Sequence, residues 1–256
     1  MRREMKALFI IIALVAMIVC QVYAKDTIKI GYWITEPEVY TADLNATNDK
    51  HPKGSAVDYW EKYIAPGMGV DIEWVGPLAL GRIQSWLEDG TLDATVWLAK
   101  NPERAEKFLY PASSFAESQP GLALLKNNPL NKIQQVSDIN KLKIGYVTDA
   151  LITPFMKDPS IAFDMVSTPD HIQLNLQKLL SGRIDAIYSP DIVALKYKCI
   201  KLSDNSKLKF LPLPDNSTAI YSVFSKKANP DFIKKFEAVN ETSKSKYEKL
   251  LENYVK

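Results

Sequence analysis

Few residues in this chain are spaced for covalent or metal chemistry. The two histidines, His51 and His171, have no companions at ligand spacing, so no metal site is legible. Of the two cysteines, Cys20 falls in an N-terminal leader. Cys199 then has no second cysteine for an internal disulfide and reads as an inert core thiol. No nucleophile–base motif stands out, so neither a catalytic residue nor a cofactor is assigned. The chemistry on offer is non-covalent. Tyr32, Trp33, Tyr40 and Trp97 fall in or beside turns where expected strands end. Aromatic faces there can stack on a ring, an aliphatic chain or a cation. Core filling is the alternative for each of them.

The N-terminus reads as an export signal. Arg2, Arg3 and Lys6 precede an unbroken apolar run from Ala7 to Val19, and Val22-Tyr23-Ala24 supplies a small-residue cleavage site. The apolar run is short of the ~20 residues that span a bilayer. Val19 stands where a lipid-anchored Cys20 would need a small residue. Cleavage after Ala24 would place the mature chain in the periplasm. The formal charge of +2 resides in residues 1–6, so the mature chain is near neutral and has no basic field for nucleic acid. With 46% hydrophobic and 24% charged residues, the rest has the composition of a globular protein with a substantial core. Asn45, Asn216 and Asn240 head N-x-[ST] sequons, which arise easily by chance.

The elements that must position these residues alternate between strand and helix. Strands are expected at 27–33, 70–75 and 92–98, and helices at 54–64 and 80–88. The second half repeats the order, with strands at 142–147, 161–166 and 184–189 and a helix at 170–180, for which Asp170 is the expected N-cap. Two passages are nearly the same sentence: Leu87-Glu88-Asp89-Gly90-Thr91-Leu92-Asp93-Ala94 and Leu179-Leu180-Ser181-Gly182-Arg183-Ile184-Asp185-Ala186. Each reads as a helix end, a left-handed glycine stop and a strand start. The alternation predicts parallel βαβ units with helices on both faces. Residues 115–126 and 218–224 read as crossovers between two such lobes, and two apolar-faced helices close the chain. Two lobes make a cleft, the natural place for a small ligand.

The order of these parts resembles family 3 of the bacterial extracellular solute-binding proteins, the periplasmic polar-amino-acid-binding type that serves ABC transporters. Gly54-Ser55-Ala56-Val57-Asp58-Tyr59-Trp60 is similar to that family's G-F-D-V-D-L helix start. Leu92-Asp93-Ala94, with Pro102-Glu103-Arg104 and Phe108, resembles its D-A … T-x-E-R … F stretch. Leu142 to Gly145, Leu180 to Ala186 and Tyr247 to Tyr254 resemble three further segments, so the likeness runs from Thr27 to Tyr254. It implies a type II periplasmic-binding-protein fold: two Rossmann-like α/β lobes joined by two hinge strands. Residues 25–115 and 220–256 would form lobe one and residues 116–219 lobe two.

By the same resemblance, Arg104 forks around a ligand carboxylate, a task that suits its planar donors. An ordinary ion pair with Glu103 or Glu106 is the alternative. Asp191 lies one residue from the position of the acid that holds the ligand's amino group, and is otherwise a helix N-cap. The chain also departs from the pattern. Trp97-Leu98-Ala99-Lys100-Asn101 replaces a loop of Ser and Thr donors, with Lys100 a possible substitute cation. Tyr146 to Leu151 replaces a Gly-Ser/Thr-Thr turn, and Asp149 would repel a carboxylate if it faced the cleft. The expected ligand-binding set is therefore Arg104, Asp191, Trp97, Trp33, Tyr32, Asp149 and Lys100.

The resemblance implies a monomeric receptor, not an enzyme, that delivers a small polar, carboxylate-bearing solute to an ABC permease. A sensor module acting through a membrane signalling partner is one alternative. A cyclohexadienyl-dehydratase-like enzyme on the same fold, with Asp191 or Asp149 as its acid, is the other.

Overall fold

The computed structural model describes residues 25–41, 51–202 and 205–255. The expected leader, its cleavage site and Asn45 lie outside the described residues.

The strands are β1 (Thr27–Gly31), β2 (Asp71–Val75), β3 (Ala94–Ala99), β4 (Phe108–Leu109), β5 (Ala116–Ser118), β6 (Gly121–Leu125), β7 (Lys143–Val147), β8 (Ala162–Val166), β9 (Ala186–Ser189), β10 (Leu208–Pro212) and β11 (Thr218–Ser225). The helices are α1 (55–68), α2 (Leu80–Asp89), α3 (Pro102–Lys107), α4 (His171–Leu180), α5 (Ile192–Leu202), α6 (Pro230–Ser243) and α7 (Tyr247–Val255). A first sheet runs β2-β1-β3-β11-β4, with β5 also on β11; a second runs β10-β6-β9-β7-β8. Each sheet supports one lobe.

The repeated sentence is a repeated structure. β2-β1-β3 and β8-β7-β9 are both parallel triplets in the same order. In the first, the Asp93 carboxylate accepts the Lys29 backbone N–H at 2.8 Å; in the second, Asp185 does the same for Lys143 at 2.8 Å. Gly90 and Gly182 have φ of 83° and 71°, the left-handed stop expected of them.

The sheets are mixed, not wholly parallel. β11 enters the first sheet antiparallel to β3, and β6 enters the second antiparallel to β9. The expected crossover at 218–224 is therefore a central strand of the first sheet. The chain returns from the second sheet through residues 213–217. It leaves the first through Gln119 and Pro120, between β5 and β6. The two connections are laced together: Gln119 Nε2 donates to the Leu213 and Asp215 carbonyls, and Leu213 N–H donates to Pro120.

α1 changes pitch at Trp60–Ile64, a π-helical segment. Pro66, next along, has no N–H to give the preceding turn, and a wider turn is one way to absorb that loss. The segment turns Trp60 inward, where Nε1 donates to Ser222 Oγ at 2.9 Å. Tyr59 OH reaches Asn240 Oδ1 at 2.8 Å, which ties α6 to the first lobe and buries the Asn240 sequon. Cys199 is fully buried, and burial pushes its thiol up to about 12, which fits an inert role.

Gly54 opens α1 at φ 127°, where an added Cβ would lie 2.3 Å from the Glu38 carbonyl oxygen. Gly69 is also left-handed, at φ 68°, but a Cβ there meets nothing within 4 Å. Gly69→Ala should therefore cost about 1 kcal/mol. Gly54→Ala should cost more than about 2 kcal/mol, because backbone must move as well. Urea unfolding of both variants checks the order, and equal costs would contradict it.

Candidate functional site

The interior of the cleft is a small cavity of about 40 Å³, walled by both lobes. That is room for about three water molecules. The first lobe contributes Trp33, Trp97 and Arg104, and the second contributes His171, Tyr188 and Asp191. The wall lies beyond the carboxyl ends of β1, β3, β7 and β9, where open α/β sheets place ligands.

Arg104 reaches it from α3, whose start is capped by Asn101: the Oδ1 accepts the Arg104 N–H at 2.8 Å. Arg104 is 4% exposed, so its donors depend on partners within the protein. Three of its five N–H groups have one: Nε donates to Gln84 Oε1 at 3.1 Å, Nη1 to the Ala99 carbonyl at 3.0 Å, and Nη2 to the Asp149 carbonyl, which leaves one N–H on each Nη. Neither Glu103 nor Glu106 is its hydrogen-bond partner. Burial pulls the guanidinium's pKa below its ordinary value, but an arginine stays charged.

Asp149 sits at φ 66°, a left-handed position that turns its carbonyl toward the first lobe. Gln84 Nε2 also donates to that carbonyl, at 3.2 Å. The Asp149 carboxylate does not face the cavity. It packs on Gly81 in the first turn of α2, where a Cβ would lie 2.3 Å from its Oδ2. A helix N-terminus favours a negative charge there, so the expected repulsion of a cleft carboxylate has no basis.

Asp191 caps α5. Its Oδ1 accepts the Val193 and Ala194 amides at 2.9 and 3.1 Å, so it is an N-cap that also faces the cavity. Burial pushes its carboxyl up to about 6, against those two amides, which pull it down. Glu38, in the loop after β1, is 1% exposed and has an unpartnered Oε2. Its carboxyl is held well above the usual carboxylate range, first by burial and then by the Asp191 charge.

Trp33 and Trp97 are both cavity residues. Trp33 Nε1 donates to the Trp97 carbonyl at 3.1 Å, and the Trp33 ring stacks on His171 across the cleft, with centroids 5.5 Å apart. Burial pulls His171 down to about 4, more than the Pro169 and Thr168 carbonyls raise it, so the ring is neutral. Tyr32 and Lys100 are elsewhere. Tyr32 is fully buried behind Gly76 and edge-on to Trp74, a core residue because its strand position points inward. Lys100 is exposed, with its ammonium 5.5 Å from the Tyr110 ring centroid. Tyr40 lies outside the cavity under the Lys201 ammonium. Asp170 stands at the start of α4 but makes no side-chain cap, and its Oδ1 has no partner.

Several site residues were not singled out by sequence reasoning. Ser118 and Asn175 line the cavity with unpartnered Oγ and Oδ1 atoms. Glu36 joins the lobes, pairing with Lys198 and, at 3.2 Å, with Lys201 of α5. A run of acids directly after β1 was the available signal for Glu36 and Glu38. No cluster of three or more metal-ligating side chains occurs among the described residues.

Between its ordinary value of 3.8 and about 6, Asp191 holds a proton when folded and releases it when unfolded. Stability therefore falls as pH rises across that window. Asp191→Asn keeps an acceptor for both amides without the charge. It should gain up to about 3 kcal/mol at pH 8 and nothing below pH 3.5. Thermal melts at both pH values check this, and an unchanged melting temperature at pH 8 would refute it.

No family model matches the chain, and no curated protein is detectably similar in sequence. Solved structures are similar in fold. An ancestral arginine-binding protein bound to arginine is 21% identical, with 90% of this chain and 99% of that one covered and a TM-score of 0.73. An amino acid ABC transporter substrate-binding protein from Streptococcus pneumoniae, bound to L-arginine, is 17% identical, with 93% and 97% covered and a TM-score of 0.73. An ancestral amino-acid-binding protein, a precursor of cyclohexadienyl dehydratase, is 19% identical, with 90% and 95% covered and a TM-score of 0.71. The chain therefore has the two-lobe α/β fold of amino-acid-binding proteins such as those that serve ABC transporters.

Proposed function

We propose that the protein is an exported receptor that closes around a small polar solute, an amino acid or a related compound, and presents it to an ABC permease. The observation that carries this is the cavity between the lobes, with a buried guanidinium on one wall and a buried carboxylate on the other. Solved proteins of this fold bind arginine and other amino acids, which supports the reading. The first lobe would be residues 25–118 with 218–256 and the second residues 121–212, a shift from the expected bounds because β5 and the start of β11 pair in the first sheet; the leader would end at Ala24. Micromolar affinity requires about 8 kcal/mol, within reach of a few buried polar contacts and an aromatic stack.

One observation favours a second reading. Asp191 is held at about 6, which suits a general acid, and a dehydratase of this fold would need one. Turnover of prephenate or arogenate would establish that reading, and inertness toward both would end it.

As a receptor, the protein should gain melting temperature with its solute and lose radius of gyration in solution scattering. Its tryptophan emission should change on binding. Trp33→Phe with Trp97→Phe should remove most of that change. A solute that stabilises the chain without altering either signal would contradict closure. Glu36→Gln loosens the pairing that joins the first lobe to α5, so the solute-free variant should be larger by scattering than the parent. An unchanged radius would show that this pair does not hold the lobes together.

A further inference from the structure

The charges on the wall of the interlobe cavity balance one another. Of the described residues that line it, only Arg104 and Asp191 are charged, because burial keeps the His171 ring neutral. Arg104 keeps one N–H on each Nη for a carboxylate, and Asp191 stands on the opposite lobe for an ammonium. The resemblance implied those contacts for the two ends of an amino acid. They leave no counter-charge for its side chain. Glu36, Lys198 and Lys201 also meet between the lobes, but they pair with one another and do not line the cavity. An ionised side chain brought into this cavity would be buried without a partner, which is costly.

Size is limited as well. The cavity of about 40 Å³ has room for about three water molecules, a volume close to one glycine, alanine or serine and far short of an arginine. The Trp33 and His171 rings, with centroids 5.5 Å apart, touch across the cleft, so no long side chain passes between them. His171 and Asn175, at i and i+4 on α4, share one face of that helix and both line the cavity. Asn175 is 1% exposed with an unpartnered Oδ1, an acceptor that a hydroxyl could complete. Resting on the receptor reading above, we infer that the solute is a small amino acid with an uncharged side chain, of the size of glycine, alanine or serine. His171 limits the length of that side chain by closing on Trp33, and Asn175 favours a hydroxyl on it.

Calorimetry of the purified protein against glycine, L-alanine, L-serine, L-glutamine, L-glutamate, L-lysine and L-arginine tests this. The expected result is that at least one of the first three binds ten-fold or more tighter than each of the last three. L-Serine should bind at least three-fold tighter than L-alanine, and Asn175→Ala should remove that margin. His171→Ala opens the ring stack, so it should raise the affinity for L-glutamine relative to L-serine at least five-fold. A smaller margin over the charged three, silence from all seven compounds, or an unchanged ratio in either variant overturns the inference. Where a variant does not melt cooperatively, the parent's panel decides alone. The receptor reading fails separately. Contraction of the particle in scattering by a larger or charged solute overturns the inference and leaves that reading standing, whereas contraction by none in a broad panel of amino acids, amines, dipeptides and aromatic acids ends it.

Discussion

The arrangement of the cleft depends on a buried guanidinium that takes its partners from within the protein. Arg104 is removed from water, and a charge in that position is tolerated only where hydrogen bonds hold it. Two of its partners, Gln84 and the Ala99 carbonyl, belong to the first lobe; the third, the Asp149 carbonyl, comes from the second. Asp149 can offer that carbonyl because its backbone takes the left-handed conformation, which an aspartate adopts more readily than a bulky residue. Its carboxylate is then carried to the start of α2, where the helix dipole favours it. One turn thus provides a contact for the arginine and a second contact between the lobes. The Glu36 pairs with Lys198 and Lys201 add a third, on the far side of Trp33 in sequence.

Much of the fold was legible because it is written in local terms. Gly90 and Gly182 mark helix stops that only a residue without a side chain adopts cheaply, so their place could be read without any knowledge of neighbours. The aspartates that follow, Asp93 and Asp185, bond to Lys29 and Lys143. That pairing explains why the sentence is repeated: both lobes need the same clasp where the third strand joins the first. What was misread is non-local. Residues 218–225 form an apolar run whichever sheet they enter, and only pairing with β3 decides that they are a central strand. The same holds for Tyr32 and Trp33, adjacent aromatics of similar character. One faces the core and the other the cleft, because successive side chains at a strand end point in opposite directions.

The site was legible by residue type but not by role. Arg104, Asp191, Trp33 and Trp97 do converge on one cavity. Which donors are free there depends on backbone carbonyls, and a sequence does not reveal where a carbonyl points. Ser118 and Glu38 carry no pattern that separates them from other polar residues; burial without a partner is what distinguishes them.

The two connections between the lobes share hydrogen bonds through Gln119, Pro120 and Leu213. Joined side by side, they cannot swing independently, as two loose tethers would. They flex as a ribbon, and a ribbon bends easily about one axis and resists the others. Motion of the lobes about that one axis is therefore the least costly, and a second protein in contact with both lobes would register it as a change in one angle.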